Sequence, residues 1–402
     1  MTEALIYDAV RTPRGKGKAG GALYEVRPIV LATTLLNALT ERTGLDPALV
    51  DDLIMGVGSP IGEQGSCLPR IAALAAGDGW ANVTGLAMQR FCGAGLEAVN
   101  TAAEKIRAGW NQCIVAGGIE SMSRIGLGAA GGPWVQDPAT MAAIQYVPQG
   151  ISADLLASLQ GYRREDADAL ALRSQQLAAQ SRREGRFDKS LVPVRDQNGL
   201  TILAHDEYIR ENTTMESLAA LKPAFDGAAG QSFDPIALQK YPQLERIRHI
   251  HTAGNSSGIV DGAALVVVGN EAVGNRLGMT PRARIAGVGV SPVDPTLMLS
   301  GPPLATSKAL KRAGLRVEDI DLFEVNEAFA AVPLHFADTL GVPMEKINVC
   351  GGSIAMGHPI GATGAILLGT LLDELERRAL RYGVVTLCVA GGMGIATVIE
   401  RL

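Results

Sequence analysis

The sequence predicts an α/β protein built from two copies of one α/β unit, with a more polar helical region inserted between them. Three observations carry that reading. Residues 44–51 (Gly-Leu-Asp-Pro-Ala-Leu-Val-Asp) read like residues 314–321 (Gly-Leu-Arg-Val-Glu-Asp-Ile-Asp), and Cys113-Ile114-Val115-Ala116-Gly117-Gly118 reads like Leu387-Cys388-Val389-Ala390-Gly391-Gly392. Both matches occur in the same order, as in an internal repeat. The 48 glycines cluster between apolar runs, where turns and close backbone approaches are needed. Residues 122–251 break the pattern: they are more polar, and Ala167, Leu170, Ala171, Ser174 and Leu177 recur at helical spacing.

Along the chain, a helical stretch from Leu35 to Arg42 precedes the first repeat segment, and one from Leu304 to Arg312 precedes the second. Each segment then leads into an apolar strand, Leu53–Val57 or Leu322–Val325. Glycine-rich turns follow, Cys92-Gly93-Ala94-Gly95 in one half and Gly357-His358-Pro359-Ile360-Gly361 in the other. Each turn opens a helix that runs to a buried strand ending in glycines. The expected division is residues 1–121 with 252–280 as the first half, 122–251 as a loop region set over the site like a lid, and 281–402 as the second half. Arg182, Arg183, Arg186 and Lys189 read as a solvated helix end.

The 402 residues exceed one ordinary core, so two or three domains are expected. The 47% hydrophobic content is enough to bury an α/β core. A net charge of −5 gives no broad basic surface and argues against nucleic acid as a partner. Five cysteines in a chain of this size point to reduced thiols and a cytoplasmic setting. The N-terminus, Met1-Thr2-Glu3-Ala4-Leu5, lacks the basic and apolar regions of a leader, and no apolar run is long enough to span a membrane. Glu400-Arg401-Leu402 is not a peroxisomal address.

The chemistry concentrates on Cys92, His358 and Cys388, each expected in a glycine-rich turn. Two thiols and one imidazole can run carbon–carbon bond chemistry on a thioester. One thiolate carries the acyl group and the other moves a proton at carbon. Active groups of α/β units collect at strand ends and helix N-termini, and a helix N-terminus lowers a thiol pKa. Cys92 and His358 are expected to open helices on facing copies. Cys67, Cys113 and Cys350 read as small core residues. His205, His249, His251 and His335 have no metal-ligand spacing, so no metal is expected.

Four runs carry a resemblance to a known family. They are Gly117-Gly118-Ile119-Glu120-Ser121-Met122-Ser123, Ala253-Gly254-Asn255-Ser256-Ser257-Gly258, Asn326-Glu327-Ala328-Phe329, and the stretch from Asn348 to Gly364 that contains Gly357-His358-Pro359. With the Cys-x-x-Gly-Gly-x-Gly ending at Cys388, they occur in the order of the thiolases, which the chain resembles over essentially its whole length. It looks most like bacterial degradative thiolases, including β-chains of actinobacterial fatty-acid-oxidation complexes. The resemblance implies a five-layer αβαβα fold. It implies that Cys92 is the acyl-accepting nucleophile, that His358 activates it, and that Cys388 moves the proton. It implies one oxyanion hole from Asn326 and His358, and a second from the backbone N–H groups of Cys92 and Ala390. CoA contacts carry over to Ser257, Ala253, Ala328, Phe329 and Lys222.

The implied activity is that of a 3-ketoacyl-CoA thiolase of β-oxidation, with acetyl-CoA acetyltransferase as the alternative. A non-catalytic thiolase-like subunit and a ketoacyl synthase are more distant readings. CoA and acyl-CoA are substrates, and no cofactor is expected. Expected partners are a second or further copies of the chain, as homodimer or homotetramer, and a hydratase/dehydrogenase α-chain. Three positions depart from the family pattern. Ala94 replaces a common serine. Ala390 replaces a glycine, which would strain the backbone if that position needs positive φ. Pro148-Gln149-Gly150 replaces a His-Met-Gly run beside the acyl group. The segment 226–248 is longer than in short biosynthetic relatives.

Overall fold

The computed structural model describes residues 2–77 and 79–402; Met1 and Asp78 lie outside the described residues. The first part runs β1 (Leu5–Arg11), β2 (Gly15–Lys16), α1 (Pro28–Thr43), β3 (Asp52–Val57), α2 (Leu68–Ala76), β4 (Thr84–Met88), α3 (Ala94–Arg107) and β5 (Cys113–Ser121). Next come α4 (Pro133–Gln136), α5 (Pro138–Ala143), α6 (Gln149–Gln160), α7 (Arg164–Arg183), the ribbon β6 (Val194–Arg195) and β7 (Thr201–Leu203), α8 (Met215–Ala219) and α9 (Ala228–Lys240). β8 (Val260–Gly269) and α10 (Glu271–Leu277) lead to the second part. It comprises β9 (Ala283–Pro292), α11 (Gly301–Ala313), β10 (Leu322–Val325), α12 (Ala331–Leu340), α13 (Ser353–Met356), α14 (Thr363–Arg377), β11 (Tyr382–Val389) and β12 (Met393–Arg401).

The repeat read from sequence is a repeat of local physics. α1 and α11 both start with proline in the first turn, where its missing N–H is harmless, and both end on a left-handed glycine. Those glycines, Gly44 (φ 68°) and Gly314 (φ 71°), are the first residues of the two matching segments. Each segment then forms a short 3₁₀ turn and enters a strand, β3 or β10.

The sheet order repeats as well. One half-sheet runs β4-β3-β5-β8-β1 and the other β10-β11-β12-β9. β5 pairs parallel with β3 and antiparallel with β8; β11 pairs parallel with β10 and antiparallel with β12. The place of β4 is taken in the second half by Ile347, which bridges Phe323 in parallel. The half-sheets meet at β1 and β9 through Leu5↔Arg284 and Ile6↔Ala283.

Helices cover both faces, so β5 and β8 are buried along their whole length. α1 and α2 cover the outer face of the first half-sheet through Leu31, Leu35, Leu39 and Ala72. α3 and α14 lie between the half-sheets, with Leu96, Val99, Ile366 and Leu372 in one core. α11 and α12 cover the outer face of the second. Five layers, α-β-α-β-α, result. A satellite core of Val147, Ile151, Leu155, Ala237 and Ile247 holds α6 and α9 together. Among the described residues no helix is long and apolar enough to cross a membrane.

Candidate active site

Close backbone approaches, which only glycine permits, bring the two halves' turns together. A Cβ on Gly95, in the turn of Cys92, would lie 2.5 Å from the Gly361 carbonyl oxygen, and one on Gly93 would lie 2.9 Å from Val389 Cγ2. The turn carrying His358 and the end of β11 are thereby pressed against the turn carrying Cys92. The buried Glu120 carboxylate locks this arrangement. It accepts from the N–H groups of Gly58 (2.7 Å), Ser59 (3.1 Å) and Gly361 (2.9 Å), and from the Gln64 amide (2.7 Å).

Cys92 sits in a 3₁₀ turn (Phe91–Gly93) that runs into α3, after Phe91 in the left-handed region (φ 44°). It is at a helix N-terminus, as expected, but its thiol is not acidic. Burial pushes it up to about 11. The Ala390 N–H, the Gln149 side-chain amide and its own N–H pull the other way, and Glu120 adds to the rise. The expected lowering by the helix is outweighed because desolvating a thiolate here exceeds what these donors return.

Cys388 and His358 correct the sequence reading in part. Cys388 is not in a turn. It is the penultimate residue of β11, fully buried, opposite Gly394 of β12. Its pKa is raised well above the ordinary thiol value, by burial first and then by the nearby Cys92. His358 precedes α14 rather than opening it, since that helix starts at Thr363.

The hydrogen bonds of His358 identify its tautomer. Thr363 Oγ1 donates to the Pro359 carbonyl (3.1 Å), so it accepts from His358 Nδ1 (2.5 Å). The proton is therefore on Nδ1, and Nε2 is the bare acceptor. Burial, reinforced by Arg14, lowers the imidazole pKa to about 3, so it is neutral at rest. Asn326 Nδ2 lies 3.4 Å from Nε2, and Ser353 donates to Asn326 Oδ1 (2.6 Å), which aims the amide at the imidazole. Arg14, fully buried and paired with Asp206, donates to the Gly357 carbonyl (3.2 Å) and braces the loop from behind. Glu327 of the Asn-Glu-Ala-Phe run is structural: it accepts from Ser174, Asn348 and the Ile354 N–H.

Ala390 follows the end of β11 and is not among the positive-φ residues; the left-handed positions are Gly391 (φ 81°) and Gly392 (φ 78°). The feared strain is absent there, and its N–H is presented to Cys92. Ala94 is fully buried in the first turn of α3.

The residues expected to meet CoA form a stitched pair of segments. Ser257 N–H donates to Ala328 O (3.0 Å), Ala330 N–H donates to Asn255 O (3.0 Å), and Ser256 bridges Phe329. Phe329 packs edge-on to Phe225 and His251. Ala253 and Lys222 are exposed and Ser257 is half-buried. Leu218 and Leu221, which abut Gly254, also line an open cavity of about 580 Å³ with Ile209 to Thr213 and Ser217. Lys222 follows this wall in sequence; the cysteines are not part of it.

Cys113 and Cys350 are buried as expected, but Cys67 is exposed, on the turn that precedes α2 (φ 54°) rather than in the core. His249 and His251 both bind Asp154 (2.8 and 2.7 Å). Arg182 and Lys189 are ion-paired, to Glu211 and Glu376. Sequence reasoning did not find Thr363, Ser353 or Arg14 as supports of His358. Thr363 and Ser353 stood inside a quoted motif, but nothing marked Arg14.

Residues 279–401 match the thiolase C-terminal domain and residues 4–232 the thiolase N-terminal domain. The chain is 38% identical to a 3-ketoacyl-CoA thiolase of Aliivibrio fischeri and 40% identical to an acetyl-CoA acetyltransferase of Escherichia coli, with all of each chain covered. The crystal structure of the Bacillus anthracis acetyl-CoA acetyltransferase superposes with a TM-score of 0.85 at 36% identity, covering 100% of this chain and 99% of that one.

Proposed function

The chain belongs to the thiolase family and is an acyltransferase, and we propose that it cleaves 3-ketoacyl-CoA with CoA, giving acetyl-CoA and a shortened acyl-CoA, as a cytoplasmic enzyme of β-oxidation. The observation that carries this reading is the convergence of two thiols and a neutral imidazole. Cys388 is near enough to Cys92 for a charge on one to raise the other, the turn of His358 packs against that of Cys92, and the neutral imidazole presents Nε2 beside the Asn326 amide (3.4 Å). We read residues 122–251 as a loop region between two thiolase halves, 1–121 with 252–280 and 281–402.

The steps balance. The Cys92 thiol gives its proton to His358 Nε2, and its sulfur bonds to the C3 keto carbon of the substrate. The N–H groups of Cys92 and Ala390 hold the developing C3 oxyanion. Each such preorganised donor is worth about 3–4 kcal/mol. The C2–C3 bond breaks, and the electron pair passes to C2 of the departing acetyl-CoA. His358 Nε2–H and the Asn326 amide hold that thioester oxygen while Cys388 delivers its proton to C2. A thiol with a raised pKa suits this task, because its proton affinity approaches that of a carbanion. CoA then loses its thiol proton to Cys388 and attacks the acyl group. Cys92 leaves as thiolate and recovers its proton from His358. Ser257, Ala253, Ala328 and Phe329 would lie along the pantetheine arm, with Lys222 toward the phosphates.

The alternative, acetyl-CoA acetyltransferase, is favoured by the name of the 40% identical Escherichia coli relative. Steady-state thiolysis across 3-ketoacyl chain lengths separates the two. Activity that rises beyond acetoacetyl-CoA supports the degradative reading, and activity confined to acetoacetyl-CoA overturns it. A non-catalytic subunit would show neither. Size measurement, alone and with a hydratase/dehydrogenase chain, tests the expected homodimer or homotetramer and that partner.

A further inference from the structure

Gln149 is the first residue of α6, directly after Pro148. Packing fixes this end of the helix. Val147 is fully buried, and a Cβ on Gly150 would lie 2.1 Å from the Phe225 ring. Phe91 stacks on Trp134 (4.9 Å between centroids), and Trp134 meets Tyr146 edge-on (5.4 Å). The chain leading into α6 is thus braced on the residue that precedes the nucleophile. From there the Gln149 side-chain amide is among the groups that pull the Cys92 thiol down against burial. Its Nε2 is buried and, among the described residues, meets no acceptor in hydrogen-bond geometry, the Cys92 thiol included.

A buried amide N–H without an acceptor is unfavourable, and native structures rarely leave one without a reason. Here the nearby acceptor is a thiol, which accepts weakly; a thiolate accepts strongly. Deprotonation of Cys92 therefore gives Nε2 the acceptor it lacks. The resting histidine is neutral and offers the thiolate no standing positive charge. We propose that Gln149 Nε2 donates to the Cys92 thiolate, stabilising it as it attacks and again as it departs. This rests on Cys92 being the nucleophile. It supplies a side-chain donor at the sulfur, preorganised by α6 for the charged state, when the backbone N–H groups of Cys92 and Ala390 turn from the resting thiol to the C3 oxyanion.

The test is the pH dependence of Cys92 alkylation by iodoacetamide, followed on the Cys92 peptide by mass spectrometry so that exposed Cys67 does not contribute. No acyl-CoA is involved, so a protein that failed to cleave any 3-ketoacyl-CoA would still give a readable profile. Gln149→Met keeps the volume and removes the donor. Its profile should move up by about one pH unit, with alkylation at a fixed pH about tenfold slower. Gln149→Glu keeps the shape and sets a like charge beside the thiolate, and should move the profile further in the same direction. If the methionine variant does not fold, Gln149→Leu, which also removes the donor without adding charge, takes its place. An unchanged profile in the folded variants overturns the proposal, as does a shift to lower pH.

Discussion

Ile114 and Cys388 occupy matching positions on matching strands, β5 and β11, and both are fully buried. Ile114 is plain core; Cys388 lies near Cys92, the proposed nucleophile. The difference lies in where the strands stop. β5 runs on through Gly117 and Gly118 to Ser121, and its glycines serve close packing against Ala264 and Gly361. β11 stops at Val389, and its glycines, Gly391 and Gly392, turn left-handed. That early stop presents the Ala390 N–H to Cys92 and opens the strand end to chemistry. One topology thus supplies packing in the first half and a site in the second. The turns before α3 and α14 differ from the strands in this respect: both carry site residues, Cys92 on one and His358 on the other.

The comparison is broken most severely by exchanging its functional members. Cys92→Ala should abolish thiolysis and acyl-enzyme formation together. Cys388→Ala should lower thiolysis by on the order of 10²–10⁴-fold, since it removes only the proton carrier, while acyl-CoA still acylates Cys92 as seen by intact mass. Equal loss of acylation in both variants would contradict the separate roles. Asn326→Ala removes one oxyanion donor, and kcat should fall by about 10²–10³-fold with KM little changed. A rise in KM alone would mean that Asn326 serves binding.

The resting state gives a sharper test. With the Cys92 thiol pushed up to about 11 and the imidazole down to about 3, the pair is neutral between those values. Alkylation of Cys92 should then climb with pH through the neutral and alkaline range, without a plateau. A thiolate–imidazolium pair would instead give a plateau from mildly acidic pH.

Ala390→Gly probes the strand end itself. Ala390 is not left-handed and donates through its backbone, so the change should alter kcat by only a few-fold; a loss near that of Asn326→Ala would mean that the methyl group shapes the acyl site.

The smallest effect concerns packing away from the reacting atoms. His249 is pushed up to about 9 by its hydrogen bond to Asp154, against the effect of burial and with help from Asp234. A raised histidine stabilises the fold fully below its unfolded pKa of about 6.5 and loses that contribution as pH rises through about 9. Asp154 is lowered, so its share is lost only in acid. His249→Gln should therefore cost about 1–3 kcal/mol near pH 6 and less near pH 9. A difference independent of pH would contradict the charged pairing.

The sequence made the repeat legible because its helix ends and strands are local events. Gly44 and Gly314 must be left-handed, and a glycine at each shows in the letters. Cys92, His358 and Cys388 could be picked out together because they stand in motifs. Their supports were not, because they act across the chain: Arg14 reaches Gly357, and Glu120 reaches Gly361. The thiol's pKa was misread for the same reason. The helix N-terminus is visible locally, whereas the burial that outweighs it is set by the whole fold.

In the proposed mechanism Cys92 carries the acyl group while Cys388 carries only a proton. The direct measurement is to mix the wild-type enzyme with 3-ketoacyl-CoA without free CoA, quench, and map the acyl group by peptide mass spectrometry while quantifying acetyl-CoA. The account predicts stoichiometric acetyl-CoA and an acyl group on the Cys92 peptide. An acyl group on the Cys388 peptide, or acetyl-CoA formed with Cys92 unmodified, would contradict it.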